Sequence, residues 1–357
     1  MTGPIGDLMA RAQRDVDDGS VPSCQLALAR NGELLAFETF GSAAADSRYV
    51  VFSITKAVVA SGIWNLIGGK TLTYGTRVAD LIPEFAANGK DRVTVDHLLL
   101  HTAGFPHAPM RPEEGADPKR RLERFASWYL AWEPGTATEY HATSAHWVLV
   151  ELIERAAGID YRTYLNDLTG GAPMLGAGRA MKVEFVGDPA NIGSVQRGDG
   201  DTIELPEIRS DVLLRYNDPD VSEAGVPGAG AIGTAAEVAM FFQRLMNDQE
   251  GTWNAAVLAD ATGVVRNSLP DPYTRVSANR TRGIVLAGDD GFESLRGFGP
   301  GVSPRAFASP GLGGQIAWAD PATGLSFAYL TNGLDADLVR AFRRSVSLSR
   351  RAALCVP

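Results

Sequence analysis

Hydrophobic positions at the start of the chain predict a helix followed by a hairpin. Apolar residues recur at helical spacing over 5–17, and Gly19 follows them. The strand-like segments 25–30 and 33–40 flank Asn31-Gly32, a dipeptide typical of two-residue hairpin turns. We therefore predict a helix packed on an antiparallel hairpin.

The other end of the chain predicts the same kinds of element. Two apolar segments, 315–319 and 325–331, are joined by a turn-rich pentapeptide, and helical spacing follows over 336–350. Since both ends carry a hairpin and a helix, we predict that they share one sheet.

The region between the ends predicts mainly helices. Helical patterns lie at 93–100, 122–132, 146–157 and 235–247, whereas 170–200 predicts loops and short strands and 263–309 is rich in loops. The predicted fold class is α/β (α+β), with an antiparallel sheet flanked by helices and a mainly helical insertion. We assign 1–75 and 225–357 to a sheet domain and 76–224 to a helical domain, with the active site at their interface.

Composition narrows the classes of partner. The chain has 357 residues, 45% of them hydrophobic, a formal net charge of −9 and a pI near 5.2. An acidic chain without a basic patch does not favour nucleic acid or an anionic membrane as partner. Neither a signal sequence nor a long apolar run is evident, so we expect a cytoplasmic protein. Cys24 and Cys355 lie near opposite ends and have no partner at metal-site spacing, so we expect two free thiols, with a disulfide between them as the alternative.

Ser53-Ile54-Thr55-Lys56 is the first candidate for catalytic chemistry. Lys56 is one of five lysines in a chain with 28 arginines, and the tetrapeptide is the only Ser-x-x-Lys present. At the start of a helix, residues three apart lie on one face, so the hydroxyl and amine are close enough for proton transfer. The positive helix end and burial both disfavour a charged lysine, which leaves a neutral amine as a base. Serine is also an ordinary N-cap residue, so the motif alone is a weak signal.

Three further segments strengthen the interpretation. Residues 95–105 read VDHLLLHTAGF, residues 140–147 read YHATSAHW, and residues 309–314 read SPGLGG. With Ser-x-x-Lys after the first hairpin, this set resembles the serine β-lactamase and penicillin-binding-protein-like superfamily, in its class C-like branch. The Tyr-His-Ala form with a downstream tryptophan is most similar to the family VIII carboxylesterases.

The resemblance implies a mechanism. Ser53 would attack a carbonyl, and Lys56 and Tyr140 would act together as general base and acid. The backbone N–H groups of Ser53 and Leu312 would hold the oxyanion. By the same resemblance residues 309–314 lie on a strand, and Gly311 and Gly313 would let that strand approach the substrate closely, since they carry no Cβ.

Two departures from the family pattern bear on the substrate. Ala142 stands where the family has an asparagine that orients β-lactams, and Ser309 stands where it has a lysine or histidine that binds a carboxylate. Both positions border the predicted substrate site. The resemblance therefore implies a hydrolase of small carboxylic esters.

Other reactions remain open on the same site. They are those of an amidase or D-aminopeptidase, an acyltransferase and a weak β-lactamase. A non-hydrolytic binding protein on this fold is the alternative from another class. We expect no cofactor and no metal, and the oligomeric state is not predicted.

Other notable residues favour structural roles. His97 and His101 lack the third ligand of a metal site, and His141 and His146 are interpreted as packing residues. An aromatic cluster, Trp128, Tyr129 and Trp132, lies at core spacing on the predicted 122–132 helix. Gly228-Ala229-Gly230 resembles a segment near the superfamily's active site, although a simple turn explains it equally well.

Overall fold

A six-stranded antiparallel sheet, built from both ends of the chain, forms the centre of the fold in a computed structural model that describes residues 3–196, 202–204 and 208–356. Its strands are β1 (Ser23–Arg30), β2 (Glu33–Gly41), β3 (Val285–Leu286), β4 (Phe307–Ala308), β5 (Ile316–Asp320) and β6 (Leu325–Thr331). They lie in the order β2-β1-β6-β5-β4-β3. Both predicted hairpins and their shared sheet are confirmed.

Helices cover both faces of this sheet. They are α1 (Pro4–Asp17) and α5 (Leu338–Ala353) on one face, and α4 (Ala235–Met246) on the other. Strand β1 is buried on both sides: Leu26 and Leu28 face α1 and α5, whereas Ala27 and Ala29 belong to the core that contains α4. The two-residue side-chain period of a strand therefore sorts large and small residues onto opposite faces.

Two buried helices connect the sheet to the helical region. Helix α2 (Thr55–Gly68) packs on α3 (Ser144–Ala157), and nearly every residue from Thr55 to Trp64 is buried. A Cβ at Gly62 would lie 2.5 Å from Leu165 Cδ2, so the glycine permits close helix packing. The remaining α-helices are Val78–Leu81, Val95–Leu99, Pro112–Gly115, Pro118–Ser127, Tyr161–Thr169, Ser210–Leu214, Pro219–Ala224 and Ala255–Gly263.

Short strand pairs complete the described chain. They are Tyr49–Val50 with Ile232–Gly233, Glu184–Val186 with Gly333–Asp335, and Ser194–Gln196 with Thr202–Glu204. The prediction of loops and short strands over 170–200 is confirmed up to residue 196, and 197–200 lies outside the described residues. The loop-rich 263–309 segment is also confirmed.

One predicted helix, 122–132, is wrong in its last turn. The helix begins at Pro118, behind the capping carboxylate of Asp117, and ends at Ser127. Trp128 leaves it in an extended conformation and stacks on Phe105 with ring centroids 5.6 Å apart. Tyr129 is therefore 73% exposed rather than part of the core.

The predicted 93–100 helix is shorter than expected. It covers Val95–Leu99, and the backbone turns at His101, where φ is 57°.

Candidate active site

Ser53 lies in a tight turn whose backbone is under strain. The turn Phe52–Ile54 leads directly into α2, and Phe52 has a φ of 44°. A bulky residue in this region costs about 1–3 kcal/mol and persists only where its surroundings hold it. Here the buried Phe52 ring packs edge-on against Tyr216, with centroids 5.3 Å apart. Ser53 is thus presented at the head of α2 by a fixed turn.

Lys56 lies one turn into α2 and faces Ser53, as the spacing predicts. Its Nζ donates to Ser53 Oγ at 3.1 Å and to the Gly228 carbonyl oxygen at 2.7 Å. Gly228 also contacts the segment that carries Tyr140, because a Cβ at this position would lie 2.5 Å from the Ala142 carbonyl oxygen. The Gly228-Ala229-Gly230 segment therefore does more than form a turn.

Tyr140 reaches the same serine from the loop before α3. Its hydroxyl donates to Ser53 Oγ at 2.8 Å, and Lys56 Nζ lies 4.8 Å from its ring centroid. The His101 ring packs on Tyr140 at 4.8 Å, and His101 Nδ1 accepts from the His141 backbone N–H at 3.0 Å. The structure thus brings Ser53, Lys56 and Tyr140 together, although they come from two separate segments.

Three buried histidines surround this loop. Burial lowers the pKa of His101 and of His146 well below the ordinary value, and it lowers the pKa of His141 to about 4. His141 Nε2 accepts from the Phe105 N–H at 3.2 Å, so this ring nitrogen is occupied by a backbone hydrogen bond. The His101 ring packs on Tyr140, and the His141 and His146 rings pack around His101, in agreement with the predicted packing role of His141 and His146. His97 lies apart, where Nδ1 accepts from Thr94 N in a capping box.

The 309–314 segment continues from β4 alongside the nucleophile turn. Ser309 N–H donates to the Ala317 carbonyl at 3.3 Å and its hydroxyl donates to the Ser53 carbonyl oxygen at 2.7 Å. The hydroxyl proton is therefore used to hold the serine turn. Leu312 begins a short helical turn behind Gly311 and packs its side chain against the apolar cluster that contains Phe52.

The glycines in this segment are required by the protein itself. A Cβ on Gly311 would lie 2.6 Å from the Val51 carbonyl oxygen, and one on Gly313 would lie 2.4 Å from Leu334 Cδ2. Gly313 also has a φ of 78°. Protein backbone and side chains therefore exclude a side chain at these positions, whatever a substrate requires.

A cavity of about 1130 Å³ opens above Ser53. All the residues predicted for the site border it: Ser53, Lys56, Tyr140, Ala142, Ser309, Gly311, Leu312 and Gly313. Arg280 also borders it, with Cζ 5.2 Å from the Tyr140 ring centroid, and this residue was missed because it lies in a loop without a recognisable motif. Within the described ranges, no group of three histidine, cysteine or acidic side chains is arranged to hold a metal ion.

Cys24 and Cys355 are both buried and free, as predicted, and burial raises the pKa of the Cys24 thiol to about 12.

In the described part of the chain, no helix combines the length and the apolar character needed to cross a bilayer.

Two sequence relatives of this chain are named as esterases. It is 26% identical over 324 residues to the esterase/β-lactamase LipL of Mycobacterium tuberculosis, covering 83% of this chain and 71% of LipL. It is 27% identical to the esterase EstB of Burkholderia gladioli, covering 89% of each chain.

Solved structures share the fold. A family VIII carboxylesterase superposes with a TM-score of 0.75 at 23% identity and covers 98% of both chains. A penicillin-binding-protein homologue from Caulobacter crescentus superposes at 0.76 with 24% identity, covering 98% of this chain and 97% of its own. The β-lactamase family model matches residues 8–348, nearly the whole length. The resemblance inferred from the motifs is therefore confirmed, and the chain belongs to the β-lactamase family.

Proposed function

We propose that this protein is a serine hydrolase that cleaves carboxylic esters through an acyl-enzyme on Ser53. One observation carries the proposal: Ser53 Oγ accepts hydrogen bonds from Tyr140 Oη at 2.8 Å and Lys56 Nζ at 3.1 Å beneath an open cavity. A serine beside two groups that can take its proton is the arrangement of an activated nucleophile. The relatives named as esterases support a hydrolase of the esterase and β-lactamase kind.

Acylation begins when Ser53 Oγ attacks the ester carbonyl and its proton passes to the Lys56 and Tyr140 pair. The tetrahedral oxyanion is held by the Ser53 and Leu312 backbone N–H groups, and losing one such donor typically costs about 3–4 kcal/mol. The intermediate then collapses, the carbon–oxygen bond to the alcohol breaks, and the pair returns the proton to the leaving alkoxide. The product of this half-reaction is an ester on Ser53.

Deacylation repeats the same steps with water. The pair removes a proton from a water molecule, which attacks the acyl-Ser53 carbonyl, and the proton returns to Ser53 Oγ as the acid leaves. Because Lys56 also donates to the Gly228 carbonyl at 2.7 Å, its amine stays in place between the two half-reactions.

Two positions in the cavity wall lack the groups with which the family holds β-lactams. Ala142 provides no amide group, and Ser309 provides no cation and donates its hydroxyl proton to the Ser53 carbonyl. The cavity of about 1130 Å³ exceeds the usual range of about 300–1,000 Å³ for ligand sites, so acyl groups larger than acetate can be accommodated.

The test is intact-protein mass spectrometry after exposure to p-nitrophenyl butyrate, with release of p-nitrophenol followed in parallel. We expect an acyl adduct and turnover in the wild type, neither in Ser53→Ala, and a rate lowered about 10²–10⁴-fold in Tyr140→Phe. Ser61→Ala is the matched control, since Ser61 lies in the same helix and its hydroxyl donates to the Val58 carbonyl rather than to the catalytic groups.

Two results would contradict the proposal. An adduct that persists in Ser53→Ala would remove Ser53 as nucleophile. A wild-type protein that forms no adduct and releases no p-nitrophenol would favour the non-hydrolytic binding protein instead.

A further inference from the structure

Arg280 places a guanidinium group in the wall of the active-site cavity. Its Cζ lies 5.2 Å from the centroid of the Tyr140 ring, whose hydroxyl contacts Ser53. Backbone bonds of 2.9 and 3.0 Å pair Arg280 with Asn267, and the Asn267 side chain donates to the Thr138 hydroxyl at 2.9 Å. Arg280 is therefore tied to the segment that carries Tyr140, and its position is defined by the fold.

Among the described residues, the guanidinium of Arg280 has no acidic partner of the kind that pairs with Arg282. Arg282 donates to both Asp96 and Asp260, and in the part of the chain that the structure describes no carboxylate forms an ion pair or hydrogen bond with Arg280. Two acidic groups act on it through space, the Tyr140 phenol and then the Asp271 carboxylate. Asp271 Oδ1 already accepts from the Tyr273 and Thr274 N–H groups.

A half-buried guanidinium without a carboxylate in contact among the described residues is costly. Burial lowers the pKa of Arg280, which reflects the penalty on its charged form. The face of the Tyr140 ring compensates for part of that penalty through a cation–π contact. This contact leaves the N–H groups at the guanidinium edge available, and their planar fork matches the two oxygens of a carboxylate.

We propose that the substrate hydrolysed at Ser53 carries a carboxylate and that Arg280 binds it. The proposal rests on the proposed function and changes the expected substrate from a neutral to an acidic ester. The cation that the family places at position 309 is absent here, since Ser309 holds the Ser53 carbonyl. Arg280 supplies a positive charge to the cavity from the loop before β3 instead.

The experiment compares esters that differ only by the charge. Mono-p-nitrophenyl adipate carries a free carboxylate in its acyl part, and its methyl ester is the neutral match. 4-Acetoxybenzoate and its methyl ester form the pair with the carboxylate in the leaving group. We expect kcat/KM of the wild type to favour the acid in at least one pair by about 10- to 100-fold, the range of one charge-assisted contact. Arg280→Gln should abolish this preference, and Arg280→Lys should retain part of it.

If Arg280 acts only through Tyr140 and binds no substrate carboxylate, the kinetics should differ. Arg280→Gln would then slow the acid and the neutral ester equally and leave the ratio unchanged, which would overturn the proposal. A wild type that hydrolyses both pairs without preferring either acid would overturn it too.

Binding provides a readout that does not depend on turnover. In calorimetry with Ser53→Ala protein, methyl hydrogen adipate should bind, and adding Arg280→Gln should weaken binding about 10-fold or more. Binding that is absent, or equal with and without Arg280, would refute the anion site. By contrast, failure of the proposed function shows as esters left intact by the wild type, while anion binding persists.

Discussion

We predict that a methyl group added at Gly228 separates Lys56 from Tyr140. The Gly228 carbonyl oxygen accepts from Lys56 Nζ at 2.7 Å, while the Gly228 Cα packs against the segment that follows Tyr140. In Gly228→Ala the new Cβ would lie 2.5 Å from the Ala142 carbonyl oxygen and 2.9 Å from Thr143 Cα. Both contacts are with backbone, so no side-chain rotation relieves them.

The size of the displacement follows from these distances. Close carbon–oxygen contacts begin at about 3.3 Å, so the two segments must separate by roughly 0.8 Å. That shift moves Lys56 and Tyr140 apart across Ser53. A misplacement of about 1 Å in a catalytic group costs about 10²-fold in rate, whereas overpacking costs about 1–3 kcal/mol of stability. We therefore expect Gly228→Ala to fold and to lose about 100-fold in kcat/KM.

The assay is hydrolysis of p-nitrophenyl butyrate together with urea unfolding followed by circular dichroism. Gly263→Ala is the control, since Gly263 ends a helix and a Cβ there meets nothing within 4 Å. The control should keep full activity and gain a little stability, as glycine is a poor helix residue. A folded Gly228→Ala protein whose kcat/KM lies within threefold of the wild type would refute the argument that Gly228 sets the Lys56–Tyr140 spacing.

Two further predictions concern stability. Burial holds the pKa of His146 below the ordinary 6.5. Below pH 6.5 the unfolded chain therefore binds a proton on His146 that the folded chain does not bind. The contribution of His146 to the free energy of unfolding is full above pH 6.5 and is lost as the pH falls. His146→Met should therefore gain on the wild type by up to about 2 kcal/mol between pH 6.5 and pH 5 in urea unfolding, and parallel pH profiles would refute this. Arg121 is buried between Glu151 and Glu154, so Arg121→Met leaves two carboxylates without their cation and should cost about 3–5 kcal/mol. The exposed Arg77→Met should cost less than about 1 kcal/mol, and equal losses for both variants would contradict the burial argument.

Local sequence patterns predicted much of the fold. The hairpin turn at Asn31-Gly32 and the apolar runs of β1 and β6 determine pairings that the structure shows in register, for example Leu26 opposite Tyr329. These predictions succeed because a strand buried on both faces and a tight turn each require a recognisable pattern within a few neighbouring residues. No such pattern indicates the end of the helix at Ser127, because Trp128 leaves the helix to stack on Phe105, which is distant in the sequence.

The site shows the same division between local and long-range information. Ser53 and Lys56 are one helical turn apart, so their contact at 3.1 Å follows from spacing. Tyr140 required the resemblance, because 87 residues separate it from Ser53. The Lys56 bond to Gly228 spans 172 residues, and no pattern in the sequence indicates it.

The glycines near the site show why a residue type alone does not reveal its reason. Gly311 was expected to give a substrate room and Gly228 was equally well explained by a turn, yet a Cβ on either would strike protein backbone within 2.6 Å. Each therefore lets two chain segments approach, one beside Lys56 and the other beside the serine turn. Arg280 is the reverse case, because no sequence motif marks this loop arginine as functional. Its proposed role follows from its position in the cavity wall beside Tyr140. The conformation of the catalytic groups is thus fixed by backbone contacts between distant segments, and the choice of substrate is expected to depend on side chains outside the family's motifs.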